Sequence, residues 1–203
     1  KLLTGSVRTY SANSVITDSA AAATAFATGH KTTSGFIGVA PRAKDLLPWV
    51  TPEVPPYYPI PTILEGAKLS GRSTGVVVTS TIPHATPSGF AAHSSSRFMP
   101  DDIMEQMVHQ NLDVAFGGGM VHLLPEGESF KTDDGKSWKG TRKDTENLMN
   151  TLKEMGYSII SSKDELAEVK GKKVWGLFNG TDLVPDIDRD ELNPTQPSLA
   201  EMT

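Results

Sequence analysis

A chain of 203 residues, 37% hydrophobic and 21% charged, is long enough for one packed domain or for part of a larger one. It contains no cysteine, which excludes a disulfide framework, a thiolate metal site and a cysteine nucleophile. Nineteen basic against 24 acidic residues leave a formal charge of −5, the wrong sign for a general binder of nucleic-acid backbones. No apolar run approaches the about 18–20 residues of a membrane span.

Taken in chain order, Thr4 to Tyr10 is rich in hydroxyl and β-branched residues and predicts a strand. Ser19 to Thr28 is dominated by alanine and predicts a helix stopped by Gly29. After the short apolar piece Phe36 to Val39 comes a proline-rich loop, 41–61, whose seven prolines exclude continuous helix or a central strand. Pro61 and Thr62 open a helix, Ile63 to Leu69, closed at Gly71. Thr74 to Thr79, with Val76-Val77-Val78 at its centre, predicts a buried strand.

Beyond it, Pro100 to Asn111 predicts a helix, and Val114 to Phe116 a short strand running into Gly117-Gly118-Gly119. Residues 125–144 are polar and predict an exposed insertion. Leu148, Leu152 and Met155 recur at helical spacing ahead of Gly156, and Tyr157 to Ser161 and Val174 to Phe178 predict two more strands. Ser198 with Glu201 three positions on marks a helix start at the end of the chain. The chain opens at Lys1 without an initiator methionine, and the expectation is an internal piece of a longer polypeptide. Alternating strands and helices imply an α/β fold. The expected form is a three-layer α/β/α sandwich with a mainly parallel sheet, incomplete at both ends.

Sites in such folds lie where strand ends lead into helix N-termini, and three loops fit that description. In the first, Asp18 or Thr17 would cap the alanine-rich helix and put Ser19 in its first turn, where free N–H groups favour an alkoxide or an arriving phosphate or sulfate. An ordinary Asp/Ser cap explains the same residues. In the second, His84 and Thr86 stand two apart in a proline-bounded loop, with Pro87 as the first residue of a helix and Thr86 as its cap. A capping threonine beside a lone histidine explains those. The third, His93-Ser94-Ser95-Ser96-Arg97, holds an arginine able to grip a phosphoryl group through two parallel hydrogen bonds. A salt-bridged surface arginine is the plainer alternative. His30, His109 and His122 show no ligand spacing.

Several motifs are absent. No serine sits in G-x-S-x-G, and the three glycines at 117–119 lack both the P-loop ending and the dinucleotide spacing. Asp186-Ile187-Asp188-Arg189-Asp190 begins like a calcium loop but lacks its glycine and distal glutamate. Asn179-Gly180-Thr181 has the form of a glycosylation acceptor.

Val15 to Thr32, centred on Thr17-Asp18-Ser19-Ala20-Ala21, closely resembles the nucleophile segment of the alkaline phosphatases. Thr74 to Thr81, then His84-Ala85-Thr86-Pro87 through His93 to Arg97, resembles the family's next active-site block. Leu112 to Gly119 is similar to its glycine-rich stretch, and Pro197 to Thr203 to the start of a later helix. The resemblance implies that 1–203 is the N-terminal to central part of a single catalytic domain, hydrolysing phosphate monoesters with two zinc ions and one magnesium. It implies Ser19 as a zinc-bound nucleophile forming a phosphoserine, Arg97 as the clamp on the phosphoryl oxygens and Asp18 as the residue positioning that arginine. It further implies Thr86 as a magnesium ligand and His84 in the shell around that ion.

A homodimer and a periplasmic or secreted location are implied as well. The family's upstream aspartate-bearing strand and its later Glu, Asp and His ligands have no match here. The 203 residues in isolation are therefore expected to hold no zinc and to hydrolyse nothing. Two alternatives stay open: a phosphodiesterase or sulfatase of the same superfamily, and a non-catalytic phosphate-binding fragment.

Overall fold

The structure, a computed structural model, describes residues 3–46, 57–132, 135–171 and 173–203. Its elements run α1 (Ser19–Thr28), α2 (Ala43–Leu46), α3 (Ile63–Leu69), β1 (Gly75–Thr81), α4 (Ala85–Ala91), α5 (Pro100–His109) and β2 (Val114–Gly118). A short helical turn, Met120–Leu123, leads to the hairpin strands β3 (Ser129–Lys131) and β4 (Ser137–Lys139). They are followed by α6 (Leu148–Glu154), β5 (Ser158–Ile160), α7 (Lys163–Glu168), β6 (Val174–Asn179), α8 (Arg189–Leu192) and α9 (Leu199–Met202).

Four strands form one sheet in the order β1-β2-β6-β5, every pair parallel. Side chains alternate across it as the pleat requires. Ala115, Trp175 and Leu177 join one apolar cluster, while Phe116, Val174 and Phe178 join another. The first cluster takes in Ile103, Met104, Met107 and Val108 of α5 and Leu148, Met149 and Leu152 of α6, at one-turn helical spacing. The second takes in Met202 of α9, with Leu166 of α7 packed against it. Helices thus cover both faces of a parallel sheet, the α/β arrangement that the alternation of elements predicts. All six residues of β6 are buried, as befits a strand with neighbours on both sides.

Three expectations need correction. Thr74 to Thr79 is a strand but not a buried one: β1 lies at the sheet edge and only Val76 in it is buried. Thr4 to Tyr10 is not a strand: every residue is exposed and none joins a ladder among the described residues, so β-propensity alone has nothing to pair with. The helix after β1 begins at Ala85 with His84 at its cap, two residues earlier than expected, so Thr86 is not the cap. Pro87 is tolerated because N–H groups in a first turn have no intrahelical partner to lose. Within 41–61, residues 43–46 form a single helical turn, and 47–56 lie outside the described residues.

The stretch 125–144 is mostly exposed as expected, yet it folds into a hairpin whose Phe130 and Trp138 pack on the main core. It also carries Arg142, whose side chain is 0% exposed and which donates to the Asp101 carbonyl at 2.8 Å and to Glu105 at 2.9 Å, with Asp144 as a third partner. Only these contacts make such burial of a guanidinium tolerable. In the whole protein Arg142→Ala is expected to cost roughly 2–3 kcal/mol, read as a lower unfolding midpoint in urea.

Candidate active site

The N-terminus of α1 is built by Asp18. Its extended backbone (φ −94°, ψ 175°) makes it the N-cap, and its Oδ1 accepts the Ala21 N–H at 3.1 Å. Ser19 is therefore the first helical residue, half-buried at the positive end of the helix dipole. The small residues that follow have a packing reason. A Cβ on Gly89 of α4 would come within 2.7 Å of the Ala23 Cβ and 3.1 Å of its backbone, so the two helices meet at a distance that larger side chains forbid.

Arg97 reaches the same point from 78 residues away in sequence. Its Nη1 donates to Ser19 Oγ at 2.6 Å and to Asp18 Oδ2 at 3.2 Å, and its Nη2 donates toward His84 Nε2 at 3.4 Å. Arg97 is salt-bridged, as its plainer reading allowed, but to Asp18 and with its side chain only 20% exposed. Gly35 ties the halves together, its N–H donating to Asp18 Oδ2 at 3.0 Å and its carbonyl accepting from the Arg97 N–H at 2.8 Å. Its φ of +84° is a backbone state that suits glycine. Sequence reasoning missed this residue, for which Ser34-Gly35 offered only a generic turn signal.

Burial pushes the Asp18 carboxyl upward, but the Ala21 and Gly35 N–H groups and the Arg97 guanidinium hold it below the usual carboxylate value. A lowered folded-state value contributes stability that is fully present above the unfolded value of about 4 and is lost as pH falls through the folded one. Wild type should therefore melt above an Asp18→Asn variant at neutral pH. The gap should close as the pH drops below about 4, and parallel melting curves down to low pH would contradict the pairing.

Of the residues expected from sequence, Asp18, Ser19, Arg97 and His84 are brought together. Thr86 stands exposed in the first turn of α4, one position beyond Ala85, and makes no hydrogen bond to those four. Asn179 is buried, its amide donating to the Asp182 carbonyl at 2.6 Å and its Oδ1 accepting the Gly180 N–H, so the glycosylation triplet is engaged in the fold. The acidic run at 186–190 folds around Arg189, which pairs with Asp186 and Asp190.

Metal-binding capacity can be tested on the donors themselves. Among the described residues one group of three acidic side chains, Glu105, Asp144 and Glu146, has donor atoms within 4.8 Å of one another. Their cation is already present, since Arg142 Nη2 pairs with all three. The oxygens of Ser19 and Thr86 fall short of the about three protein ligands that a catalytic zinc needs. The described residues do not by themselves fit a zinc site.

The family profile for alkaline phosphatase matches residues 1–203, the whole chain. The chain belongs to the alkaline phosphatase family. It is 36% identical over 208 residues to the alkaline phosphatase of Schizosaccharomyces pombe, covering 98% of this chain and 34% of that one. The crystal structure of the Thermus thermophilus alkaline phosphatase superposes with a TM-score of 0.77 at 28% identity, over 97% of this chain and 36% of that one. A variant of the TAB5 alkaline phosphatase, described with magnesium bound in its M3 site, matches with a TM-score of 0.68 at 28% identity, over 92% of this chain and 46% of that one. The chain thus spans about a third of the length of the first alkaline phosphatases that it matches.

Proposed function

We propose that the whole protein hydrolyses phosphate monoesters through a phosphoserine at Ser19. The observation that carries this reading is the 2.6 Å contact of the Arg97 guanidinium with Ser19 Oγ at a helix N-terminus, in a chain of this family. Ser19 Oγ bonds to phosphorus while the bond to the leaving alcohol's oxygen breaks, and that oxygen takes up a proton. Water then attacks the same phosphorus, releasing inorganic phosphate and returning a proton to Oγ. Arg97 can turn its two Nη groups onto two non-bridging oxygens, and the free N–H groups of α1 face the third. Asp18 keeps the guanidinium aimed while the site is empty of substrate.

The two zinc ions and one magnesium implied by the family resemblance would draw most of their ligands from outside residues 1–203, with one oxygen each from Ser19 and Thr86 and with His84 nearby. A homodimer and a periplasmic or secreted location complete the reading. Among the described residues no helix is long and apolar enough to cross a membrane. The test is acid-quenched labelling of the whole protein with radioactive inorganic phosphate. Label is expected on the peptide that carries Ser19, with monoesters turned over faster than diesters or sulfate esters. A faster diester or sulfate reaction without label would favour the superfamily alternatives. Phosphate binding with neither label nor turnover would favour a non-catalytic module.

A further inference from the structure

His93 lies four residues before Arg97 and is held more fully than a connecting-loop residue needs to be. Gln106 of α5 clamps its backbone, accepting the His93 N–H at 2.8 Å and donating to its carbonyl at 3.0 Å. Its ring spans two elements: Nδ1 contacts the Gly38 carbonyl at 2.7 Å, and Nε2 contacts Glu65 Oε1 of α3 at 3.0 Å. Neither partner has a proton to give. One is a carbonyl, and the other is a carboxylate whose second oxygen already accepts the Thr62 N–H at 2.8 Å. The ring satisfies both contacts only as an imidazolium.

Gly38 makes this approach possible, because a Cβ there would lie 2.7 Å from Nδ1. The segment that accepts from His93 is the one that registers the active site. Ile37 and Ser94 exchange backbone hydrogen bonds at 2.8 Å each, and Gly35 bonds both Asp18 and the Arg97 backbone.

We infer that His93 is a positioning residue, an imidazolium latch between Glu65 and Gly38 that sets segment 93–97 on segment 35–38 and so holds Arg97 over Ser19. The inference rests on the proposed roles of Ser19 and Arg97. The charged group facing the ring among the described contacts is Glu65; α5 presents the neutral Gln106 and the 35–38 segment presents backbone. Burial pushes Glu65 upward, yet the hydrogen bonds from His93 and the Thr62 N–H hold it below its ordinary value, so it stays ionised while the latch is closed. A neutral ring leaves one of the two contacts without a donor.

The test measures kcat/KM for a phosphate monoester, and inhibition by inorganic phosphate, from about pH 6 to about pH 10, in whole-protein wild type, Glu65→Gln, His93→Ala and Arg97→Ala. In Glu65→Gln the carboxamide NH2 can donate to a neutral Nε2 while Nδ1–H keeps the Gly38 carbonyl, so the alkaline fall in kcat/KM and in phosphate affinity should be lost. His93→Ala should lower kcat/KM by roughly 10- to 100-fold, weaken phosphate inhibition in step and lose the alkaline fall. An unchanged pH profile in Glu65→Gln, or a His93→Ala variant that melts lower but keeps its kcat/KM, would overturn the latch. Should His93→Ala fail to fold, the Glu65→Gln profile decides alone. If Arg97→Ala leaves kcat/KM unchanged, the functional reading fails; if Arg97→Ala collapses while the other two match wild type, only the latch fails.

Discussion

Exchange of Ser19 for alanine in the whole protein should abolish covalent phosphate labelling and lower kcat/KM for monoesters by at least about 10³-fold. The size follows from chemistry, since without Oγ the two-step displacement has no first acceptor for the phosphoryl group. The fold should be untouched, because alanine favours a first helical turn and Asp18, not Ser19, supplies the cap. Arg97 keeps its bond to Asp18, so inorganic phosphate should still bind. Full activity in Ser19→Ala would refute the phosphoserine route, and a lowered melting point would assign the residue to stability.

Arg97→Ala should cost roughly 10²- to 10³-fold in kcat/KM, with phosphate inhibition weakened as well. In the proposed mechanism the guanidinium meets the charge of the phosphoryl oxygens both in the bound ester and at the transition state. Arg97→Lys is the sharper variant. A lysine restores the charge but presents a point donor in place of a planar fork, so it cannot set two nitrogens on two phosphoryl oxygens. It should recover no more than about tenfold of the loss. Complete recovery would mean that charge alone matters and that the fork geometry seen here is incidental. Measuring both variants against Ser19→Ala separates binding from bond formation: the arginine variants should lose phosphate affinity, whereas the serine variant should keep it.

Much of this site was legible in the residues. Asp18 ahead of an alanine-rich run signals a helix cap, and the structure has Oδ1 on the Ala21 N–H; that the small residues pack against Gly89 of α4 was not readable. The run 174–178 read as a buried strand because a parallel sheet buries both faces of an inner strand, whereas Val76 to Val78 has the same composition but lies on the edge strand, where only Val76 is buried. The strand expected at Thr4 to Tyr10 failed because a strand is a pairing, and composition cannot show whether a neighbour is present. Arg142 was unreadable for a related reason. The nearby Asp144 and Glu146 read as exposed charges, and the α5 groups that cover it, Asp101 and Glu105, lie about 40 positions away.

The sequence by itself determined most of the helices, the caps at Asp18 and Ser198, the apolar strands and the family. Those depend on short-range chemistry: a capping oxygen, a glycine stop or a β-branched run acts within a few residues. Only the tertiary structure decided that Ser19 and Arg97 touch, that Gly35 spaces them and that His93 is pinned between Glu65 and Gly38. Those contacts join residues 17 to 78 positions apart, and only packing around the sheet brings them within reach.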